Sequence, residues 1–117
     1  MSQKFPKQEK LKSRKTIDRL FSEGKSIKKF PIKLIYLEQE GAENHQATFA
    51  VPKRNFKLAI SRNRIKRQLR EAYRLEKSVI ESINGKKFAL LFMYISKDKP
   101  QYAKISSSIK ALLKNIT

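Results

Sequence analysis

Residues 61–83 read SRNRIKRQLREAYRLEKSVIESI, and residues 88–95 read FALLFMYI. In the first stretch Ile65, Leu69, Ala72, Tyr73, Val79, Ile80 and Ile83 recur mainly at spacings of three and four, which predicts a long helix with one apolar face. Ser61 stands where a side-chain oxygen can cap the first amides, and Asn84-Gly85 supplies a stop. The second stretch is apolar throughout. It is far shorter than the roughly 18–20 residues of a membrane-spanning helix, and it suits a strand apolar on both faces at the centre of a sheet. A basic helix feeding a buried strand suits a layered α+β protein.

On the N-terminal side, Ala47–Val51 reads as a strand that Pro52 ends, because proline has no N–H for the ladder. Ile32–Glu38 reads as its hairpin partner across a turn at Gly41–His45, and a Lys-rich connection broken by Pro31 precedes it. Ile17, Leu20 and Phe21 follow the i, i+3, i+4 rule, so a short first helix is expected from about Ser13 to a stop at Gly24. Residues 1–12 are polar and basic and are expected to be flexible. On the C-terminal side, Tyr102, Ile105, Ile109, Leu112, Leu113 and Ile116 mark a closing amphipathic helix, with Pro100 tolerable in its first turn. The order predicts a single domain over 1–117, an α–β sandwich of helices and sheet.

Twenty-eight Lys and Arg stand against ten Asp and Glu, a net charge of +18, while 39% of the chain is hydrophobic. The apolar share is enough for a folded core, and the charge calls for a polyanionic partner, with nucleic acid foremost. A large multidomain enzyme is excluded by length. The absence of cysteine excludes a disulfide framework and a thiolate metal site. Met1–Lys15 shows neither a signal-peptide core nor an anchor, so a cytoplasmic protein is expected. Catalysis by side chains has little support: His45 is the one histidine, the acids are scattered among basic neighbours, and the three glycines read as punctuation rather than a phosphate loop.

From Lys53 to Arg74 there are nine basic residues and one acid, Glu71. On the predicted helix Asn63, Lys66, Arg67, Arg70 and Arg74 lie opposite Ile65, Leu69 and Tyr73. A merely solvated helix face normally mixes both signs, whereas this one offers guanidinium groups suited to bidentate phosphate contact. Asn63, near the helix start, can help to cap it or hydrogen-bond a partner, and the sequence leaves both open. Among aromatics that could stack on bases, Phe21, Phe30, Phe49, Tyr73 and Tyr94 read mainly as core, and Tyr36 is the best candidate to face a groove.

The segment Arg62–Glu71, RNRIKRQLRE, closely resembles the RNR signature of the bacterial ribonuclease P protein family. The resemblance extends to Phe5-Pro-Lys, Lys10-Leu, Ile17 through Leu20-Phe21 to Gly24, and Ala50-Val51-Pro52-Lys53-Arg54. It implies the accessory protein subunit of an endoribonuclease that removes the 5′ leader from precursor tRNA. In that enzyme the RNA subunit is catalytic and uses Mg2+ bound mainly by RNA, with no cofactor intrinsic to the protein. It further implies an α–β sandwich of about four strands and three helices, like a domain found in some ribosomal proteins, with a left-handed βαβ crossover. Carried over by position, Arg62, Asn63, Arg64, Lys66, Arg67 and Arg70 would bind the RNA subunit. Phe21, Tyr36, Lys53 and Arg54 would border a cleft for the single-stranded leader. The protein would be a monomer, one per RNA. Ile17 departs from the aromatic common in the family, and the loop between Arg54 and Arg62 is a residue longer. A structural ribosomal protein of related fold would share the charge but lack Arg62-Asn63-Arg64, and a DNA regulator would aim Arg67 and Arg70 at base edges.

Overall fold

A computed structural model describes residues 10–39, 44–81 and 86–116. Along the chain run α1 (Arg14–Glu23), β1 (Lys25–Lys29), β2 (Ile32–Glu38), β3 (Gln46–Ala50), α2 (Ala59–Glu76), α3 (Ser78–Glu81), β4 (Phe88–Tyr94) and α4 (Tyr102–Ile116). The strands form one mixed sheet in the order β1-β2-β4-β3. Strand β4 is central, antiparallel to β2 and parallel to β3. Its apolar run is what permits this, since both faces are covered.

Successive strand residues point to opposite faces, and the two faces have separate cores. On one, Ile32, Leu34, Phe88, Leu90, Phe92 and Tyr94 pack with Ile65, Leu69 and Tyr73 of α2 and with Ile105, Ile109, Leu112 and Leu113 of α4. On the other, Ile35, Ala89 and Leu91 pack with Leu20 of α1 and with Leu11. The α–β sandwich therefore has helices on both sides of the sheet, and β3, α2, α3 and β4 make up a βαβ crossover unit.

Several sequence expectations change. Strands β2 and β3 are not a hairpin: β4 lies between them, and β2 takes β1 as its hairpin partner. The Lys-rich connection is itself β1, an edge strand in which Ile27 alone is apolar, so no alternation announces it, and its lysines keep the edge in water. Helix α2 starts at Ala59, two residues before the expected Ser61 cap, and its N-cap Leu58 makes no side-chain cap bond. It ends at Glu76, and α3 follows separately. Ile83, Asn84-Gly85 and the Gly41–Glu43 part of the expected turn lie outside the described residues. Pro100 precedes α4, and Tyr102 is exposed rather than part of the core. Of the stretch 1–12, residues 1–9 lie outside the described residues; Lys10 bridges to Ala47, and Leu11 is buried with its N–H donating to the Ala47 carbonyl.

His45 serves the fold. It is buried against Phe88, its Nδ1 accepts the Phe88 N–H at 3.1 Å, and its Nε2 lies 3.2 Å from the Ile80 carbonyl. Because Nδ1 accepts, the ring proton sits on Nε2 and donates to Ile80, tying the start of β4 to α3.

Gly24 does end α1, but not through a left-handed cap: its backbone is extended, with φ −70° and ψ 156°. The glycine is required by a close approach. A Cβ there would run into the Leu20 carbonyl and would meet Ile35 Cγ2 at 3.0 Å and the Tyr36 carbonyl at 3.1 Å. Backbone carbonyls cannot step aside, so Gly24→Ala is expected to cost about 1–3 kcal/mol of stability in urea unfolding. An unchanged midpoint would show that α1 can shift off the sheet freely.

Candidate nucleic-acid interface

Helix α2 is anchored by Ile65, Leu69, Ala72 and Tyr73, which are buried, and this fixes what its other faces present. Asn63 and Arg67 stand exposed on the outer ridge. A cleft runs along one flank, between α2, the loop at Phe56 and the segment at Lys99, and Arg64 lines it. A second groove runs along the other flank, against the edge of β3, and Lys66 and Arg70 line it together with Lys10 and Lys12. The signature residues are thus divided among a ridge and two grooves.

Arg62 is engaged within the protein. Its guanidinium Nη1 donates to the carbonyls of Phe56 and Lys57, both at 2.8 Å, and so pins the loop that leads into α2. This clasp turns back toward the chain instead of outward. We expect Arg62→Ala to lower the stability of the RNA-free protein by about 1–2 kcal/mol, read as a shifted urea midpoint. An arginine that acts only on RNA would leave that midpoint where it was.

Arg74 is also partly occupied. It forms a two-pronged pair with Glu71, at 2.6 Å and 3.1 Å, and that hydrogen bond holds the Glu71 carboxyl below its usual range. The one acid in this segment is therefore consumed by the last arginine. Among the described residues, Arg64, Lys66, Arg67 and Arg70 form no salt bridge and are turned to solvent or grooves. Backed by a packed helix, these cations present a surface matched to phosphates.

Of the four residues expected to border a leader cleft, Tyr36 lies on the face of the sheet opposite α1. Phe21 is exposed in the last turn of α1, close to Lys25, which pairs with Tyr36 at one end of the sheet. Lys53 and Arg54 are exposed in the turn that follows β3, where the Asn55 N–H donates to the Pro52 carbonyl. Tyr36 faces away from α1: it packs in the core with α2 and α4, edge-on to Phe88 at 6.0 Å. The period of two explains this, since its neighbours Ile35 and Leu37 are the residues that face α1. Of the other aromatics weighed as core, Phe49, Tyr73 and Tyr94 pack there, while Phe30 is exposed.

Sequence reasoning missed Lys10 and Lys12 as groove residues. The signal was present, since two lysines flanking Leu11 make a strand-like alternation within a segment otherwise read as flexible. The cleft formed by Phe56, Gln68 and Lys99 had no such signal, because its parts are far apart in sequence.

Known proteins offer a direct comparison. The family model described as Ribonuclease P matches residues 5–117. A ribonuclease P protein component from Porphyromonas gingivalis is 31% identical, the match covering 92% of this chain and 82% of the relative. One from Chlorobaculum tepidum is 33% identical, covering 96% and 82%. Among solved structures, the ribonuclease P protein of Thermotoga maritima superposes with a TM-score of 0.78 at 24% identity, covering 93% of this chain and 98% of that one. At that identity the likeness speaks for the fold.

Proposed function

The chain belongs to the ribonuclease P protein family, and from that membership we propose how it contributes to the ribonucleoprotein of which it is the protein subunit. The family function is maturation of tRNA 5′ ends, and the chain's partner is the ribonuclease P RNA. In our reading the RNA subunit performs the chemistry, and the protein supplies cationic surface. The observation that carries this reading is α2, whose exposed ridge and flanking grooves are lined by cations while Glu71, the one acid between Lys53 and Arg74, is held by Arg74.

Asn63, Arg64, Lys66, Arg67 and Arg70 would contact the RNA subunit, with Arg62 holding the loop that presents them. Their charge would offset the repulsion between that RNA and precursor tRNA. Phe21 on α1, with Lys53 and Arg54 in the turn after β3, would touch an extended single-stranded leader. Tyr36, turned into the core, would support the strand rather than stack on a base. One protein monomer would serve each RNA, in the cytoplasm. Mg2+ would be held mainly by RNA.

Leader contact is tested by comparing holoenzyme affinity for precursor tRNA and leaderless mature tRNA. The protein should tighten precursor binding preferentially, and Lys53→Ala with Arg54→Ala should reduce this preference. Equal tightening of both substrates would contradict leader contact.

A further inference from the structure

The cleft beside Arg64 has features that a phosphate surface does not need. It encloses about 250 Å³, below the roughly 300–1,000 Å³ of a site for a drug-sized ligand, and so is scaled to one planar ring system. Phe56, Ile65 and Pro100 give it apolar walls, and Arg64 and Lys99 stand at its border. Phe56 is held in place from behind by Tyr94, with ring centroids 5.9 Å apart. Gln68 also lines the cleft, and its Oε1 is buried with no hydrogen-bond partner. A buried acceptor left unpaired costs about 1–3 kcal/mol, so this oxygen calls for a donor.

We propose that this cleft receives a single unpaired nucleobase of bound RNA, with the ring against Phe56, the Gln68 amide turning into the cleft so that a base N–H donates to its Oε1, and the adjoining phosphates near Arg64 and Lys99. This rests on the reading of α2 as the RNA-facing helix and adds to it a site that reads bases rather than backbone. Every RNA base carries an N–H on its Watson–Crick edge, and that edge is available only when the base is unpaired and unstacked. The orphan amide therefore selects against duplex. The nucleotide could come from the RNA subunit or from precursor tRNA; the chemistry is the same for both.

The chain has no cysteine, so a single introduced thiol can carry a photoreactive aryl azide. Gln101→Cys places it next to Pro100 at the rim, and Ile60→Cys places a control on the exposed ridge, two turns before Arg67. Each labelled protein is assembled with the RNA subunit, with and without precursor tRNA, and the crosslinked nucleotides are mapped. The expected result is a rim crosslink confined to one short unpaired stretch. If it forms without precursor tRNA, the nucleotide belongs to the RNA subunit; if it requires precursor tRNA, it belongs to the substrate. Adding Gln68→Leu, which keeps the helix and should leave the melting curve of the free protein close to that of the parent, should lower the rim yield roughly five-fold, the worth of about one hydrogen bond, and spare the ridge yield. Rim crosslinks to base-paired nucleotides, none at all beside a normal ridge crosslink, or a yield indifferent to Gln68→Leu would overturn the pocket and leave the RNA face standing. Loss of both crosslinks would overturn the RNA face itself.

Discussion

Changing Arg67 and Arg70 together to alanine is expected to weaken binding of the ribonuclease P RNA by roughly 100-fold at moderate salt, without loss of fold. Hydrogen bonds to charged groups contribute about 1.5–3 kcal/mol each, and 1.4 kcal/mol is about a tenfold change in affinity. Both side chains are exposed on α2, Arg67 on the ridge and Arg70 in the groove with Lys66, and alanine keeps the helix. A phosphate that no arginine neutralises keeps its condensed counterions, so the slope of log K against log salt should become shallower by about 2. Arg74→Ala is the internal comparison: Glu71 already holds that guanidinium, so its effect on binding should be much smaller. Dissociation constants measured across a KCl series decide the matter, and a double variant with an unchanged slope would mean that these arginines do not meet phosphate.

Phe92→Ala is expected to remove about 3–5 kcal/mol of stability, a large share of the roughly 5–15 kcal/mol that holds a small domain together. Phe92 is fully buried on the central strand, stacked on Phe49 at 5.6 Å and tilted against Tyr73 of α2 at 5.4 Å. The void cannot collapse easily, because strands on both sides fix β4. Tyr73 also lies under the cationic ridge, so the same change should loosen the helix that presents Arg67. Urea unfolding would show a large fall in midpoint; a loss under about 1 kcal/mol would mean that the three rings repack around alanine.

Residues with strong periodicity were legible from the sequence. Ile65, Leu69, Ala72 and Tyr73 form the buried stripe of α2 as their spacing predicts, and the run from Phe88 is the central strand. The pairing of β3 was not legible, because a short strand such as QATFA carries no mark of which neighbour it will take. What decides it is that β4, apolar on both faces, gains more from the middle than from an edge. Strand β1 was hidden by its lysines. At the site, the cationic face could be read from charge and spacing alone. The inward turn of Arg62 could not, since helical position gives direction but not whether two loop carbonyls will lie within reach. Tyr36 shows the hazard of a strand: a shift of one residue exchanges the face that packs on α2 and α4 for the face that carries α1.

The central claim is that this chain acts by enabling an RNA rather than by chemistry of its own, and precursor-tRNA cleavage at low Mg2+ tests it most directly. A bacterial ribonuclease P RNA is assayed with and without the protein, beside the protein alone. The expected result is cleavage that needs the RNA and rises when the protein is added. Cleavage by the protein alone, or no stimulation by a folded protein that binds the RNA, would contradict it.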